Sequence, residues 1–166
     1  MTEHPAHSIS LLVANKPGVL VRISLVFSRR GYNIDSLVVS PSLDGKFSRM
    51  NIVGRGNPDT LNQIILQLEK LVDVLKAHDH TGEVIVEKEL ALVKVRLSEA
   101  SDRTELLQII EHFKAETVDM TPSSMIVQIT GNSDKLDAFR TMVEKFEIVE
   151  FIRTGKVMMA RGQEET

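Results

Sequence analysis

The residues with the most chemical potential lie in one loop, Asn15-Lys16-Pro17-Gly18-Val19-Leu20. It separates an apolar run, Ile9 to Ala14, from a run with helical spacing, Val19 to Arg30. Proline suits a first helical turn, because the N–H it lacks would be unpaired there, so Pro17 is expected at the helix start. Gly18 lets a ligand approach the backbone with no Cβ in the way. The amides that follow belong to a helix N-terminus, where N–H groups and the helix dipole hold a carboxylate. The chemistry on offer is the binding of a small anion.

Other candidates carry less. His78 and His80, two apart on a predicted strand, share a face and offer two imidazoles to a metal. Asp79 points to the other face, and two ligands without a third are not a site. A solvated strand end running into a linker is expected there. Glu87/Glu89 lie at a strand entrance and Glu164/Glu165 in a tail. Neither pair has the apolar setting that raises a carboxyl pKa for general-acid work, so both read as solvated. Arg29-Arg30 end a predicted helix, where cations suit the dipole. A Gly-rich phosphate loop, a nucleophile elbow and cysteine are all missing from the sequence. The pattern is that of a binding module, not an enzyme.

The elements that must position the loop repeat one order twice. His7 to Ala14 reads as a strand and Val19 to Arg30 as a helix, with Gly31 where a C-terminal glycine belongs. Asn33 to Ser40 and Phe47 to Val53 read as strands around an Asp44-Gly45 turn. Asn57-Pro58-Asp59 opens a helix with Leu61, Ile64, Ile65, Leu68 and Leu71 on one stripe. Val72 to His78 closes the unit as a strand. After a Thr81-Gly82-Glu83 linker the order returns: strand Leu90 to Leu97, then helix Asp102 to Phe113 with Leu106, Leu107, Ile109, Ile110 and Phe113 buried. A hairpin follows, Thr117 to Met120 and Met125 to Thr130. Helix Ser133 to Phe146 buries Leu136, Phe139, Val143 and Phe146. Ile148 to Thr154 is a strand, and Val157 to Ala160 adds a short one. Two βαββαβ units predict an α+β fold of two ferredoxin-like domains in tandem, at 7–80 and 84–162. In each unit one sheet face is left uncovered, and a second copy of the chain is the simplest cover.

Composition excludes several classes. The chain has 166 residues, 42% hydrophobic and 26% charged, as a core-forming protein should. Net charge is −3, and neither half is a basic arm or acidic tail, so binding to nucleic acid or anionic lipid is not predicted. Six Phe, one Tyr and no Trp leave little to stack RNA bases on. No run approaches the ~20 apolar residues that span a bilayer. Met1-Thr2-Glu3-His4-Pro5 has no signal-peptide pattern, so a cytoplasmic location is expected.

Leu11 to Ile23, with Asn15-Lys16-Pro17-Gly18 inside it, resembles the opening of an ACT domain, a ferredoxin-like module that senses small ligands. Phe27-Ser28-Arg29-Arg30-Gly31-Tyr32-Asn33-Ile34-Asp35-Ser36-Leu37 resembles the small regulatory subunit of acetolactate synthase more specifically. Ser48-Arg49-Met50, Leu71 to Leu75, Glu87 to Val95, Asp119 to Ser124, Lys135 to Phe139, Arg153-Thr154-Gly155 and Ala160-Arg161-Gly162 resemble the same family, in order along the chain. The resemblance implies a non-catalytic partner of a large, thiamine-diphosphate-dependent catalytic subunit that begins branched-chain amino-acid synthesis. It implies activation of that subunit and feedback inhibition by valine. Thiamine diphosphate, Mg²⁺ and FAD would belong to the large subunit, and no motif for them stands in this chain. By position, the effector site falls on Asn15, Gly18 and Asn33, with Lys16, Pro17, Val19, Leu20 and Ile34 around them. The resemblance implies a homodimer with valine bound between two chains, Val19 and Leu20 helping to wall the isopropyl group. The alternative is a free-standing tandem-ACT amino-acid sensor or transcriptional regulator, which would need a DNA-binding helix-turn-helix or a basic surface.

Overall fold

A computed structural model of the chain describes residues 5–163 and 165–166. Residues 1–4 and Glu164 of the tail pair lie outside the described residues. The strands are β1 (Ala6–Ala14), β2 (Asn33–Pro41), β3 (Phe47–Arg55), β4 (Val74–Asp79), β5 (Val86–Arg96), β6 (Glu116–Met120), β7 (Ser124–Gly131), β8 (Glu147–Arg153) and β9 (Val157–Met159). The helices are α1 (Val19–Ser28), α2 (Pro58–Glu69), α3 (Ala100–Phe113) and α4 (Ser133–Val143). The first sheet has strand order β2-β3-β1-β4, and the second repeats it as β6-β7-β5-β8. The recorded pairings within these orders are antiparallel. This is the ferredoxin-like arrangement, twice.

The chain divides into two compact units. One comprises the chain up to Val86 together with Gly155–Thr166; the other is Glu87–Thr154. The second unit thus ends earlier than the residue 162 expected from sequence, and the tail clusters with the first. Strand β9 is only three residues long, too short for its allegiance to be read from a hydrophobic pattern.

In the first unit Ile9, Leu11 and Val13 of β1, Met50 and Ile52 of β3, and Val74 and Ala77 of β4 face the helices. They meet Val19, Ile23 and Phe27 of α1 and Leu61, Ile64 and Leu68 of α2. Period-two strands against period-3.6 helices give one apolar layer. The second unit builds its core the same way, with Phe139 fully buried at its centre. Leu107, expected in that core, is exposed instead. Leu106, Ile109 and Ile110 already fill the buried stripe of α3, and Leu107 falls outside it.

Helix α1 ends by a Schellman motif. Gly31 takes φ +70°, its N–H donates to Ser28 O (3.1 Å), and the Tyr32 N–H reaches back to Phe27 O (3.1 Å). Among the described residues, its two chain neighbours aside, no atom lies within 4 Å of where a Cβ on Gly31 would sit, so Gly31→Ala tests backbone strain alone. It should destabilise the fold by about 1–2 kcal/mol, read as a lower urea midpoint with an unchanged slope.

The first sheet's other face carries Ser10, Leu12, Arg49, Asn51, Lys76 and His78, paired across β3-β1-β4. The chain's own tail lies on part of it. Gly155 sits so close to Ser36 and Val38 that a Cβ there would come within 3.0 Å of each. Lys76 Nζ donates to Glu165 O (2.9 Å) and Arg49 Nη1 to Thr166 O (2.6 Å). The face expected to be bare is partly strapped from within the chain.

Candidate functional site

The loop after β1 is held firmly at its entrance. The Ala14 N–H donates to Asp73 O (2.8 Å) and the Asn15 N–H to Lys46 O (2.9 Å). Asn15 Nδ2 donates to Gly45 O (3.0 Å), so this amide also ties the loop to the β2–β3 turn. The Lys16 N–H turns back to Ala14 O (2.9 Å). Gly18 then takes φ 83°, ψ −9°, the values of the third residue of a type II turn. This left-handed residue cannot be helical, so it caps α1 and the helix begins at Val19. Pro17 therefore stands one residue outside the cap, at the turn's second position, and not in the first helical turn as expected.

The helix start has no side-chain cap. Gly18 O accepts from the Arg22 N–H (3.2 Å), but Gly18 has no side chain to cap the amides beyond it. Among the described residues none accepts from the N–H groups of Gly18, Val19 or Leu20. The first turn of α1 carries no acidic residue. Lys16 and Arg22 flank the opening and share one carboxylate: Lys16 Nζ is 3.8 Å from Asp73 Oδ1, and Arg22 pairs with Asp73 Oδ2. Two cations against one anion leave the opening attractive to a carboxylate. Val19 turns its side chain into the core, so it offers only its backbone. Leu20, 41% exposed, is the apolar surface at the opening.

Asn33 and Ile34 lie elsewhere in the same chain. Asn33 pairs with Arg55, and so does Ala6 at the first residue of β1. The loop leaves from the other end of β1, where Ala14 pairs with Phe47. Eight strand steps at about 3.4 Å put Asn33 about 27 Å from the loop. Within one chain the expected residues fall into two groups at opposite ends of the sheet. Asn33 is exposed; its Nδ2 donates to Asp35 Oδ1 (2.8 Å), and Asp35 Oδ2 is held by Arg55 Nε (2.5 Å). Ile34 is half-buried against the core.

Residues 9–76 match the family model for the ACT domain of acetohydroxyacid synthase small subunits, and residues 88–162 match that for the small subunit of acetolactate synthase. A probable acetolactate synthase small subunit of Methanothermobacter thermautotrophicus is 42% identical, over 96% of this chain and 95% of its own. The chain belongs to the acetolactate synthase small-subunit family. The Mycolicibacterium smegmatis member is 40% identical over 95% of this chain and 92% of its own. The crystal structure of the Thermotoga maritima small subunit superposes with a TM-score of 0.85 at 37% identity, covering 96% of this chain and 99% of that one. The tandem ferredoxin-like architecture is therefore that of the family.

Two clusters escaped the sequence reading of this family member. Glu89, expected in solvent, is 6% exposed. Arg153 Nε grips its Oε2, Ser133 Oγ donates to its Oε1 (2.5 Å), and Arg153 Nη1 also reaches Asp137 Oδ1 (2.6 Å). Glu89 hydrogen-bonded to the guanidinium raises the Arg153 pKa above the usual arginine value. The strand alternation of β5 would have signalled Glu89 only with its partner in view. In the first unit, Glu83 joins His78 and His80, supplying the third group that the sequence reading held missing. Its position in a turn hid it.

Proposed function

We propose that this chain is the non-catalytic regulatory partner of an acetolactate synthase catalytic subunit, raises that subunit's activity, and confers feedback inhibition by valine. The proposal includes a cytoplasmic enzyme whose thiamine diphosphate, Mg²⁺ and FAD reside in the large subunit. No helix among the described residues is long and apolar enough to cross a membrane. The observation that carries the reading is the row of unpartnered amides behind the Pro17–Gly18 turn, fitted to the carboxylate of an amino acid.

The two separated groups explain why a dimer belongs to the proposal. Strand β2 is a sheet edge. Beside it, Leu20, Val21 and Leu25 of α1 and Val39 of β2 are exposed apolar residues. A two-fold axis through the middle of β2 brings the start of one copy's β2 to the end of the other's. The partner's Asn33 then meets this chain's Asn15–Leu20 loop. In this arrangement the amides of Gly18 to Leu20 hold the valine carboxylate, the partner's Asn33 accepts from its ammonium, and Leu20 meets the isopropyl group. Each pocket needs both chains, so effector binding favours one subunit arrangement and shifts activity by a coupling of about 1–3 kcal/mol.

The test is co-purification of the chain with a large subunit, followed by assay of acetolactate formation. Activity is expected to rise on complex formation and to fall when valine is added. A complex whose rate is indifferent both to this chain and to valine would overturn the reading.

A further inference from the structure

On the sheet face turned away from the helices, β4 ends in a tight turn. The His80 N–H donates to Ser8 O (2.8 Å), and the Glu83 N–H returns to His80 O (3.0 Å). Gly82 supplies the left-handed residue (φ +83°), and Asp79 Oδ1 accepts from the Thr81 N–H (2.9 Å). The turn brings Glu83 back over the two imidazoles. Its Oε1 lies 2.9 Å from His78 Nε2, and its Oε2 lies 2.7 Å from His80 Nδ1. The rings stand edge to face, 4.5 Å between centroids. One donor atom from each of the three residues falls within a sphere of mutual separations no greater than 4.8 Å.

His80 is only 5% exposed, and its second nitrogen, Nε2, is 2.8 Å from Ser10 Oγ, also buried. With a metal in place, a hydrogen on Nε2 donated to Ser10 leaves the Nδ1 lone pair for the ion. This outer hydrogen bond is the kind that fixes a ligating histidine's tautomer and ring plane. The cluster borders a cavity of about 650 Å³, also lined by Lys76, Arg161 and Glu165, with room for a further ligand.

We propose that His78 Nε2, His80 Nδ1 and the Glu83 carboxylate bind one divalent transition-metal ion, with zinc the best match. Two nitrogens and one oxygen, with a fourth place open to the cavity, is a tetrahedral zinc donor set. Zinc at its usual ligand distances needs donors about 3.4 Å apart; the two histidine–carboxylate pairs open slightly, the metal replacing the protons they share, and no donor pair starts more than 4.8 Å apart. Magnesium and calcium prefer all-oxygen shells and are excluded by the two imidazoles. The site is separate from the loop after β1, and zinc binding to it does not depend on the effector proposal.

The test is calorimetric titration of untagged, chelator-treated full-length chain with zinc chloride, with magnesium chloride as control. One zinc per chain and no magnesium are expected. His78→Ala and Glu83→Gln change side chains that are 44% and 46% exposed, so both variants should keep the unsubstituted circular dichroism spectrum. Each should weaken zinc binding by about tenfold or more. Cobalt in the same site should give the visible spectrum of a tetrahedral ion with two imidazole ligands. No zinc bound by the unsubstituted chain, or variants that bind zinc as tightly as the unsubstituted chain, overturns the proposal.

Discussion

Gly18→Asp is expected to abolish the valine response and, in separate chains, Asn33→Ala to weaken it; mixing the two variants is expected to restore part of it. Gly18→Asp sets a fixed carboxylate in front of the amides that are to receive the effector's own. Its backbone must hold φ 83°, which costs about 1–2 kcal/mol for a residue with a side chain. Space is not the obstacle, since the contact a Cβ would make, with Arg22 Nη1 at 3.5 Å, is an ordinary one. Gly18→Ala bears the same strain without the charge, so it should keep measurable valine affinity and isolate the electrostatic part. Asn33→Ala removes a hydrogen bond to a charged group, worth about 1.5–3 kcal/mol, or more than tenfold in affinity. In a mixed dimer one pocket carries both lesions. The other joins an intact Gly18 loop from one chain to an intact Asn33 from its partner. Inhibition by valine, measured on complexes rebuilt from each variant and from an equimolar mixture, checks this. A mixture no more responsive than its components would refute a pocket shared between chains.

Arg153→Ala should be the most destabilising of the substitutions considered, by about 3–5 kcal/mol. Glu89 is buried, and two of its ties are the guanidinium of Arg153 and the hydroxyl of Ser133. Removing Arg153 strands a negative charge inside the second unit and unlinks β5, β8 and α4 together. The pair is weaker evidence for net stability than the single substitution suggests, because desolvating both charges offsets much of their attraction. The double substitution Glu89→Leu with Arg153→Met should therefore recover most of the loss. Chemical denaturation of the unsubstituted chain, Glu89→Leu, Arg153→Met and the double variant reads the coupling directly. A loss below about 1 kcal/mol for Arg153→Ala would mean that water replaces the guanidinium and Glu89 is not sealed in.

Much of the architecture could be read from residue pattern because local rules and the final fold agree. Ile9, Leu11 and Val13 alternate, Leu61, Ile64 and Leu68 follow helical spacing, and Asn57-Pro58 announces a capped start; each does what its pattern says. The errors arose where a distant partner decides. Glu89 looks like any surface carboxylate until β8 brings Arg153 beside it. Glu83 looks like linker until the turn at Gly82 folds it onto His78 and His80. Pro17 misled for a local reason: proline fits a helix start and a type II turn equally well, and the left-handed Gly18 chose the turn. Asn15 and Asn33 showed no sign in the linear chain of lying at opposite sheet ends; strand register alone reveals it.

The return of Gly155–Thr166 to the first unit fixes an order of events at the ribosome. That unit is translated in two instalments, with all of Glu87–Thr154 synthesised between them. Among the described residues the two apolar clusters are built from residues before Gly155, while Met158 of the tail is buried outside them, so both clusters are assembled before Met158 emerges. A premature stop codon after Thr154 would spare both cores yet leave Ser36, Val38, Arg49 and Lys76 without the chain segment that meets them. Such a product should fold, and its newly bared sheet surface should make it prone to self-association while still nascent.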